Sequence, residues 1–321
     1  MANTSLYAVY RRTARAGAKQ QVVKKTSDID IERARIDFSY FCDVVGEKPP
    51  ANHMRLWHEH LCTGNNSECL IGIAGPNVDI LAPRGSAKST VLGLFTAWSI
   101  GVHALHKKPL KILYISYTVD VARPKSAAIK RIIEENKHYK EIFPMVKIAK
   151  GINSNEYWSI DWKFAGIRST GEEEFTVCCA GLKGAVTSKR SHLCIIDDAI
   201  KSADDIKNKD IRAAMEDNWN SVIVPTMFEG ARAICLGTRF RHDDIHNTTF
   251  TPANDWVQIV QSAITVDENG DDKSYWPEMW SLEYLQDRKR QAPISFSFQY
   301  QNQIIQTSEL SVSPELLIKS K

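Results

Sequence analysis

Val78-Asp79-Ile80-Leu81-Ala82-Pro83-Arg84-Gly85-Ser86-Ala87-Lys88-Ser89-Thr90-Val91-Leu92 is the stretch on which the reading turns. An apolar strand runs into a loop of small residues, and a helical pattern follows at once. A phosphate-binding loop needs this context, because several backbone N–H groups must converge on the anion with a helix N-terminus behind them. A lysine then reaches the β- and γ-phosphates and a hydroxyl binds Mg²⁺. Lys88 and Ser89 fit those roles, and Pro83, Arg84, Gly85, Ser86, Ala87 and Thr90 complete the cradle. The loop departs from the common pattern G-x-x-x-x-G-K-[ST], since Ala82 and Ala87 stand where both glycines are expected. A tight βα turn is the competing account of the loop taken alone.

A second element decides between them. Leu193-Cys194-Ile195-Ile196-Asp197-Asp198, about 110 residues later, is an apolar strand ending in two carboxylates. In a P-loop ATPase the first such carboxylate holds Mg²⁺ through water and the next polarises the attacking water. Asp197 takes the metal role on this reading and Asp198 that of general base. An ordinary aspartate N-cap is the alternative, but loop and acidic strand in this order favour an ATPase. A third buried strand ends at Gly237-Thr238-Arg239, where Thr238 is placed to sense the γ-phosphate. Asp243-Asp244 reads as a helix N-cap with an acidic first turn.

Outward from these segments, short apolar runs alternate with helical stretches, as in a βαβ protein. Strands are expected at about 77–82, 111–116, 174–180, 192–196, 231–236 and 256–260, and helices at about 88–103, 118–135 and 205–220. Residues 28–48 look helical before Pro49-Pro50, 151–173 read as a hairpin or loop excursion, and the pattern after Trp276 is helical through about 305. The central strands are apolar on both faces, which points to a mostly parallel sheet covered by helices on each side. With 43% hydrophobic and 25% charged residues in 321, the chain is not of disordered or fibrous composition. No apolar run approaches the roughly 18 residues of a membrane span. Seven cysteines, several inside apolar runs (Cys178, Cys179, Cys194, Cys235), suit buried thiols in a reducing compartment, and the chain is read as cytosolic. The net charge of +3 neither demands nor excludes nucleic acid. Locally, Arg11, Arg12, Arg15, Lys19, Lys24 and Lys25 precede the first acid, Asp28, and form an arm able to touch DNA phosphates or to be a solvated tail. Cations near 123–131 are a second candidate for DNA contact.

Together these residues resemble the ATPase domain of the large terminase subunit of tailed double-stranded DNA phages. The resemblance rests on Pro83-Arg84-Gly85, on Ser188-Lys189-Arg190-Ser191-His192-Leu193 leading into Ile195-Ile196-Asp197-Asp198, on Ile200-Lys201-Ser202, and on Gly237-Thr238-Arg239-Phe240 with Asp243-Asp244. Phe296-Ser297-Phe298-Gln299-Tyr300-Gln301 resembles the phrase closing such domains, so coverage runs from about 50 to 305. It implies an ASCE-type, RecA-like P-loop fold with ATP and Mg²⁺ as cofactors. It also implies a motor that drives double-stranded genome DNA through the portal protein into a procapsid. The subunits would form a ring, commonly of five, with a small terminase subunit presenting the DNA. The place of work would be the host cytoplasm, transiently at the portal vertex, with no membrane. By the same resemblance Arg84 senses the γ-phosphate in cis, Arg190 is the finger inserted into a neighbour's site, and Thr238 is the coupling residue. Lys189 and Lys183 are the fallback fingers, and some members carry the arginine where this chain has Thr187. An adenine-contacting segment is expected at Arg55-Leu56-Trp57-His58, with Trp57 as the contact and helix core as the competing role. The expected division is a basic arm and helix over 1–48, an ATPase core over 49–265, a helical lid over 266–306 and a linker over 307–321.

Two departures carry expectations. Asp198 replaces the glutamate many motors use, so a shorter carboxylate must hold its water from farther back and hydrolysis is expected to be slow. After Tyr300 the remaining acids are Glu309 and Glu315, too few for the two-metal nuclease domain of full large terminases, so no DNA cleavage is expected. A helicase-type remodelling ATPase is the runner-up, but residues 245–321 do not suffice for a second RecA-like lobe. A zinc module built from His53, His58, His60, Cys62 and Cys69 is disfavoured, because the spacing matches no common ligand pairing. The sequons at Asn3, Asn65 and Asn247 read as chance matches.

Overall fold

The structure, a computed structural model, describes residues 29–46, 50–62, 75–168, 175–184, 186 and 189–303. The basic arm, Cys69, Thr187, Ser188, the sequons at Asn3 and Asn65 and the linker over 307–321 lie outside the described residues.

Two short helices open the described chain, α1 (Ile31–Ile36) and α2 (Phe38–Val45). Asp37 divides the expected single helix, because its carboxylate accepts from Tyr40 N and caps α2. Helix α3 (Asn52–Leu61) leads towards β1 (Asn77–Leu81), and the P-loop segment then hands over to α4 (Lys88–Leu105). Next come β2 (Ile112–Ser116), α5 (Val119–Glu135), α6 (Lys137–Ile142), β3 (Ile148–Asn153), β4 (Tyr157–Ile160), β5 (Val177–Gly181) and β6 (Ser191–Asp197). Helix α7 (Lys209–Asn218) precedes β7 (Met227–Gly237), and α8 (Ile245–Thr248) precedes β8 (Trp256–Val260). The chain continues through a hairpin of β9 (Ile264–Val266) and β10 (Asp272–Ser274), then α9 (Leu282–Gln291) and α10 (Pro293–Gln299).

Eight strands form one sheet in the order β3-β4-β5-β2-β6-β7-β1-β8. The pairs from β5 to β8 are all parallel, and β3 and β4 add an antiparallel edge. The acidic strand β6 is not the neighbour of the loop-bearing β1, because β7 lies between them. That insertion is the strand order expected of an ASCE P-loop fold, and the fold is α/β and RecA-like. Both faces are covered. Ile112, Tyr114, Ile195 and Ile234 pack into one core, while Leu113, Ile115, Ile196 and Ala233 pack into the other. This two-sided burial explains why the strands read as continuous apolar runs.

Differences from the sequence reading have local causes. The excursion over 151–173 includes β4, which joins the main sheet and buries Trp158, while β3 begins at Ile148 in polar, largely exposed sequence. β7 begins four residues before the expected strand, at Met227, through the half-exposed and exposed residues that precede the apolar run. The helix expected at 205–220 begins at Lys209 and continues as a wider turn over Trp219–Ile223. Pro293 splits the last helical stretch into α9 and α10, and the β9–β10 hairpin precedes it. A small third core of Ala263, Ile264, Leu285 and Phe296 holds this C-terminal layer together.

Candidate active site

Parallel strands all end at the same rim, so the turns after β1, β6 and β7 meet there by construction. The loop after β1 is shaped by two residues in the left-handed region, Gly85 (φ +81°) and Ala87 (φ +64°). An L-residue pays roughly 1–2 kcal/mol to sit there, and Ala87 does so at the position where a P-loop usually places glycine. Alternation of left-handed with ordinary residues turns successive N–H groups inward, the form of an anion nest. Ser86 is buried, and among the described residues its Oγ has no hydrogen-bond partner.

Lys88, the first residue of α4, is 5% exposed. Its ammonium donates to the backbone oxygens of Ala82 and Pro83, both at 3.2 Å, and to Thr238 Oγ1 at 2.8 Å. Thr238 stands at the end of β7, so the strand between the phosphate loop and the acidic strand is tied directly to the lysine. Burial pushes the Lys88 pKa down, opposed by Asp198 and Asp197.

Side chains of consecutive strand residues point to opposite faces, yet both acids reach the site. Asp197 ends β6 fully buried, and Asp198 then adopts φ +51°, a turn aspartate tolerates better than most residues. Asp197 Oδ1 accepts from Ser89 Oγ at 2.9 Å, and Oδ2 accepts from Tyr114 OH at 2.7 Å. The Asp198 side chain is 39% exposed, with Oδ1 3.9 Å from Lys88 Nζ. Burial raises the Asp197 pKa, an effect opposed by the neighbouring Lys125 ammonium. A hydroxyl and a carboxylate oxygen side by side are the hard donors Mg²⁺ takes. The unpartnered serine, the nest and the lysine fit phosphates, so the residues present suit Mg–nucleotide.

The C-terminal layer closes over this loop. Arg84 N donates to Gln299 O at 2.9 Å, and Arg84 Nη1 to Gln299 Oε1 at 3.1 Å. Trp280 Nε1 donates to Gly85 O at 3.3 Å, and a Cβ at Gly85 would come 2.7 Å from the Trp280 ring. Asn302 reaches the next loop, where its Oδ1 accepts from Arg239 N at 3.1 Å. Arg84 therefore rests on Gln299 in this state.

Other expected residues fall elsewhere. Trp57 is a correction: it is fully buried and donates its indole N–H to Gln261 Oε1 at 2.8 Å, so it offers no face to a base. His58 is also buried, with Nδ1 2.7 Å from Ser39 Oγ, and burial lowers its pKa to about 4. Helix α3 does touch the loop, through His53 Nε2 at 3.2 Å from Ser86 O. Arg190 is exposed just before β6, and Lys189 precedes it. Seven strand residues at about 3.3 Å each put Arg190 roughly 20 Å from Asp197, out of reach of its own site. Lys183 follows β5 on the same rim as the site and lies over the Tyr117 ring. Asp244 does precede α8, but its Oδ2 accepts from Phe240 N and Arg241 N. Asp243 pairs with Arg212 and Arg241.

The sequence reading missed Tyr114, Lys125, Trp280 and Gln299 as contributors to the site. The sequence marks the phrase containing Gln299 for its likeness and the cations near 123–131 for DNA, neither for a contact at this site. His53, His58 and His60 of α3 and Cys62 at its end form no metal-type group among the described residues. One such group does converge, Asp79, Cys235 and His246. Asp79 Oδ1 and His246 Nδ1 pair at 2.9 Å, and Gln258 Nε2 donates to Asp79 Oδ2 at 3.0 Å, so it is a buried polar network.

No protein-family model matches the chain, and no curated protein sequence does. Among solved structures the chain is similar to the large terminase of bacteriophage HK97, with 15% identity over 86% of this chain and 55% of that one and a TM-score of 0.49. It is also similar to the ATPase domain of the Thermus phage P74-26 large terminase, with 15% identity over 80% and 99% of the two chains and a TM-score of 0.42. A large terminase from a thermophilic bacteriophage, solved with ATP-γ-S, shares 7% identity over 70% and 46%, with a TM-score of 0.44. The chain spans about half the length of the large terminases of HK97 and the thermophilic phage. Among the described residues no helix is long and apolar enough to cross a membrane.

Proposed function

We propose that this chain is an ATP-hydrolysing motor domain of the large-terminase kind, translocating double-stranded DNA through a portal into a procapsid as one member of a ring. The observation that carries the reading is the meeting of Lys88, Ser89, Asp197, Asp198 and Thr238 at one strand-end rim, in the strand order β6-β7-β1. Lys88 exchanges the carbonyls of its own loop for phosphate oxygens. Ser89 and Asp197 offer the metal their hydroxyl and carboxylate. Mg²⁺, when bound, supplies charge neutralisation between the phosphates. Asp198, the more exposed acid, orients the attacking water and takes its proton. Thr238 reports on the lysine's position to β7, and Asn302 ties the next residue, Arg239, to the C-terminal layer. Arg84 leaves Gln299 for the γ-phosphate. Arg190, out of reach of its own site, acts on a neighbour's, where an arginine finger is worth roughly 10³–10⁵ in rate in other NTPases. Portal protein, small terminase subunit and DNA are the partners this role requires.

The test is Mg–ATP hydrolysis against protein concentration for wild type, Lys88→Ala and Arg190→Ala. The expected result is a specific rate that climbs with concentration, two inactive variants, and partial recovery when those variants are mixed. A flat rate with Arg190→Ala as active as wild type would remove Arg190 from the mechanism.

A further inference from the structure

Four charged groups meet at the strand ends and pair two by two, Lys88 with Asp198 and Lys125 with Asp197. The second pair is the closer, 3.0 Å against 3.9 Å. Lys125 is turned inward from α5, whereas Arg123 on the same helix pairs with Asp120 and Glu156 at the surface. The Lys125 side chain is 18% exposed, and its ammonium meets Asp197 Oδ2 at 3.0 Å, Asp197 O at 3.0 Å and Ser116 Oγ at 3.3 Å.

Asp197 has no idle oxygen, since Ser89 holds Oδ1 while Tyr114 and Lys125 share Oδ2. A fully buried carboxylate with no cation beside it is strongly disfavoured. Lys125 supplies the cation that balances Asp197. An ammonium at 3.0 Å from the carboxylate and a dication on the same carboxylate repel each other strongly in so dry a place.

We propose that Lys125 is a member of the site that holds Asp197 as an ion pair while metal is absent and yields the carboxylate when metal and nucleotide enter. Lys125 thereby sets how much Mg²⁺ the site needs. The inference rests on the phosphate-site reading above and assigns Lys125 a positioning role, acting through Asp197.

The test is Mn²⁺ binding, as a stand-in for Mg²⁺, with ADP held below the protein concentration so that little Mn–ADP forms in solution, followed by loss of the free Mn²⁺ paramagnetic resonance signal. ADP is used because a displaced ammonium then has no γ-phosphate to turn to, so competition alone is read. Lys125→Met keeps the stem and removes the charge, while Lys125→Arg keeps a cation. Should Lys125→Met fail to fold, Lys125→Gln fills the same space and still donates to Asp197. A neighbouring opposite charge is worth one to three pK units to a carboxylate, so the neutral variant is expected to half-saturate at about tenfold less Mn²⁺ than wild type. Lys125→Arg is expected to stay near wild type. An unchanged or higher Mn²⁺ requirement in the neutral variant, with wild type binding Mn–ADP normally, overturns the role of Lys125 alone. A wild-type protein that binds no ADP overturns the phosphate-site reading and this inference with it.

Discussion

Two buried cations stand at opposite rims of the same sheet, and they do different things. Arg232, 1% exposed, gives its guanidinium to three carbonyls, Pro76 O at 2.7 Å, Leu61 O at 2.8 Å and His60 O at 2.6 Å. Two of those carbonyls end α3, where a helix has acceptors without internal partners and a partial negative charge. Lys88 also gives two of its protons to carbonyls, but these belong to the loop it shapes, and the third goes to Thr238. Around Arg232 the residues with positive φ are glycines, Gly75 and Gly230, which bear it without strain, while around Lys88 two non-glycine residues, Ala87 and Asp198, hold left-handed conformations. Burial of a cation alone therefore marks no functional site. Exchangeable acceptors beside strained backbone do.

The contrast can be broken by substitution. Arg232→Ala takes the donor from three carbonyls, that of the buried Leu61 among them, and is expected to lower the unfolding free energy by about 3 kcal/mol. Hydrolysis per folded molecule should be kept. Lys88→Ala should leave the unfolding free energy from urea titration within about 1 kcal/mol of wild type, because a desolvated ammonium goes with its bonds. Equal destabilisation by the two changes would mean that Lys88 is a staple as well.

A smaller effect sharpens the same contrast from the middle of the sheet. Asp79, in register with Cys235 on one side and Gln258 on the other, holds His246 beneath the strand that carries Thr238. Burial alone would lower the His246 pKa, but the carboxylates of Asp79 and Asp244 outweigh it and raise it above 6.5. This contribution is complete below the unfolded value of about 6.5 and is lost as pH climbs through the raised folded value. Unfolding free energy should therefore fall as pH rises from about 6.5 through the raised folded value, and His246→Gln should flatten that slope. A variant whose pH profile overlays the wild type would place the dependence elsewhere.

The strands were legible because two-sided burial leaves little but apolar residues in them; β8 falls at 256–260 as expected, and β1 and β2 differ by one residue. Lys88, Ser89, Asp197, Asp198 and Thr238 were legible because each follows a strand in a fixed order along the chain. Lys125 and Trp280 were not, since a lysine on an amphipathic helix reads as a solvated face and a tryptophan after a hairpin reads as core. The Asp79–His246 pair was hidden by register, which only the assembled sheet supplies. Trp57 went the other way: the expectation came from resemblance, and burial against Gln261 overrules it.

The most direct test of the central claim is phosphate release from Mg–ATP by wild type, Lys88→Ala and Asp198→Asn, with ATP binding measured calorimetrically on the same preparations. The account predicts that wild type binds and turns over, Asp198→Asn binds with turnover reduced at least about a hundredfold, and Lys88→Ala does neither. Normal turnover by Lys88→Ala would contradict it, because the loop after β1 would then not be where the chemistry happens.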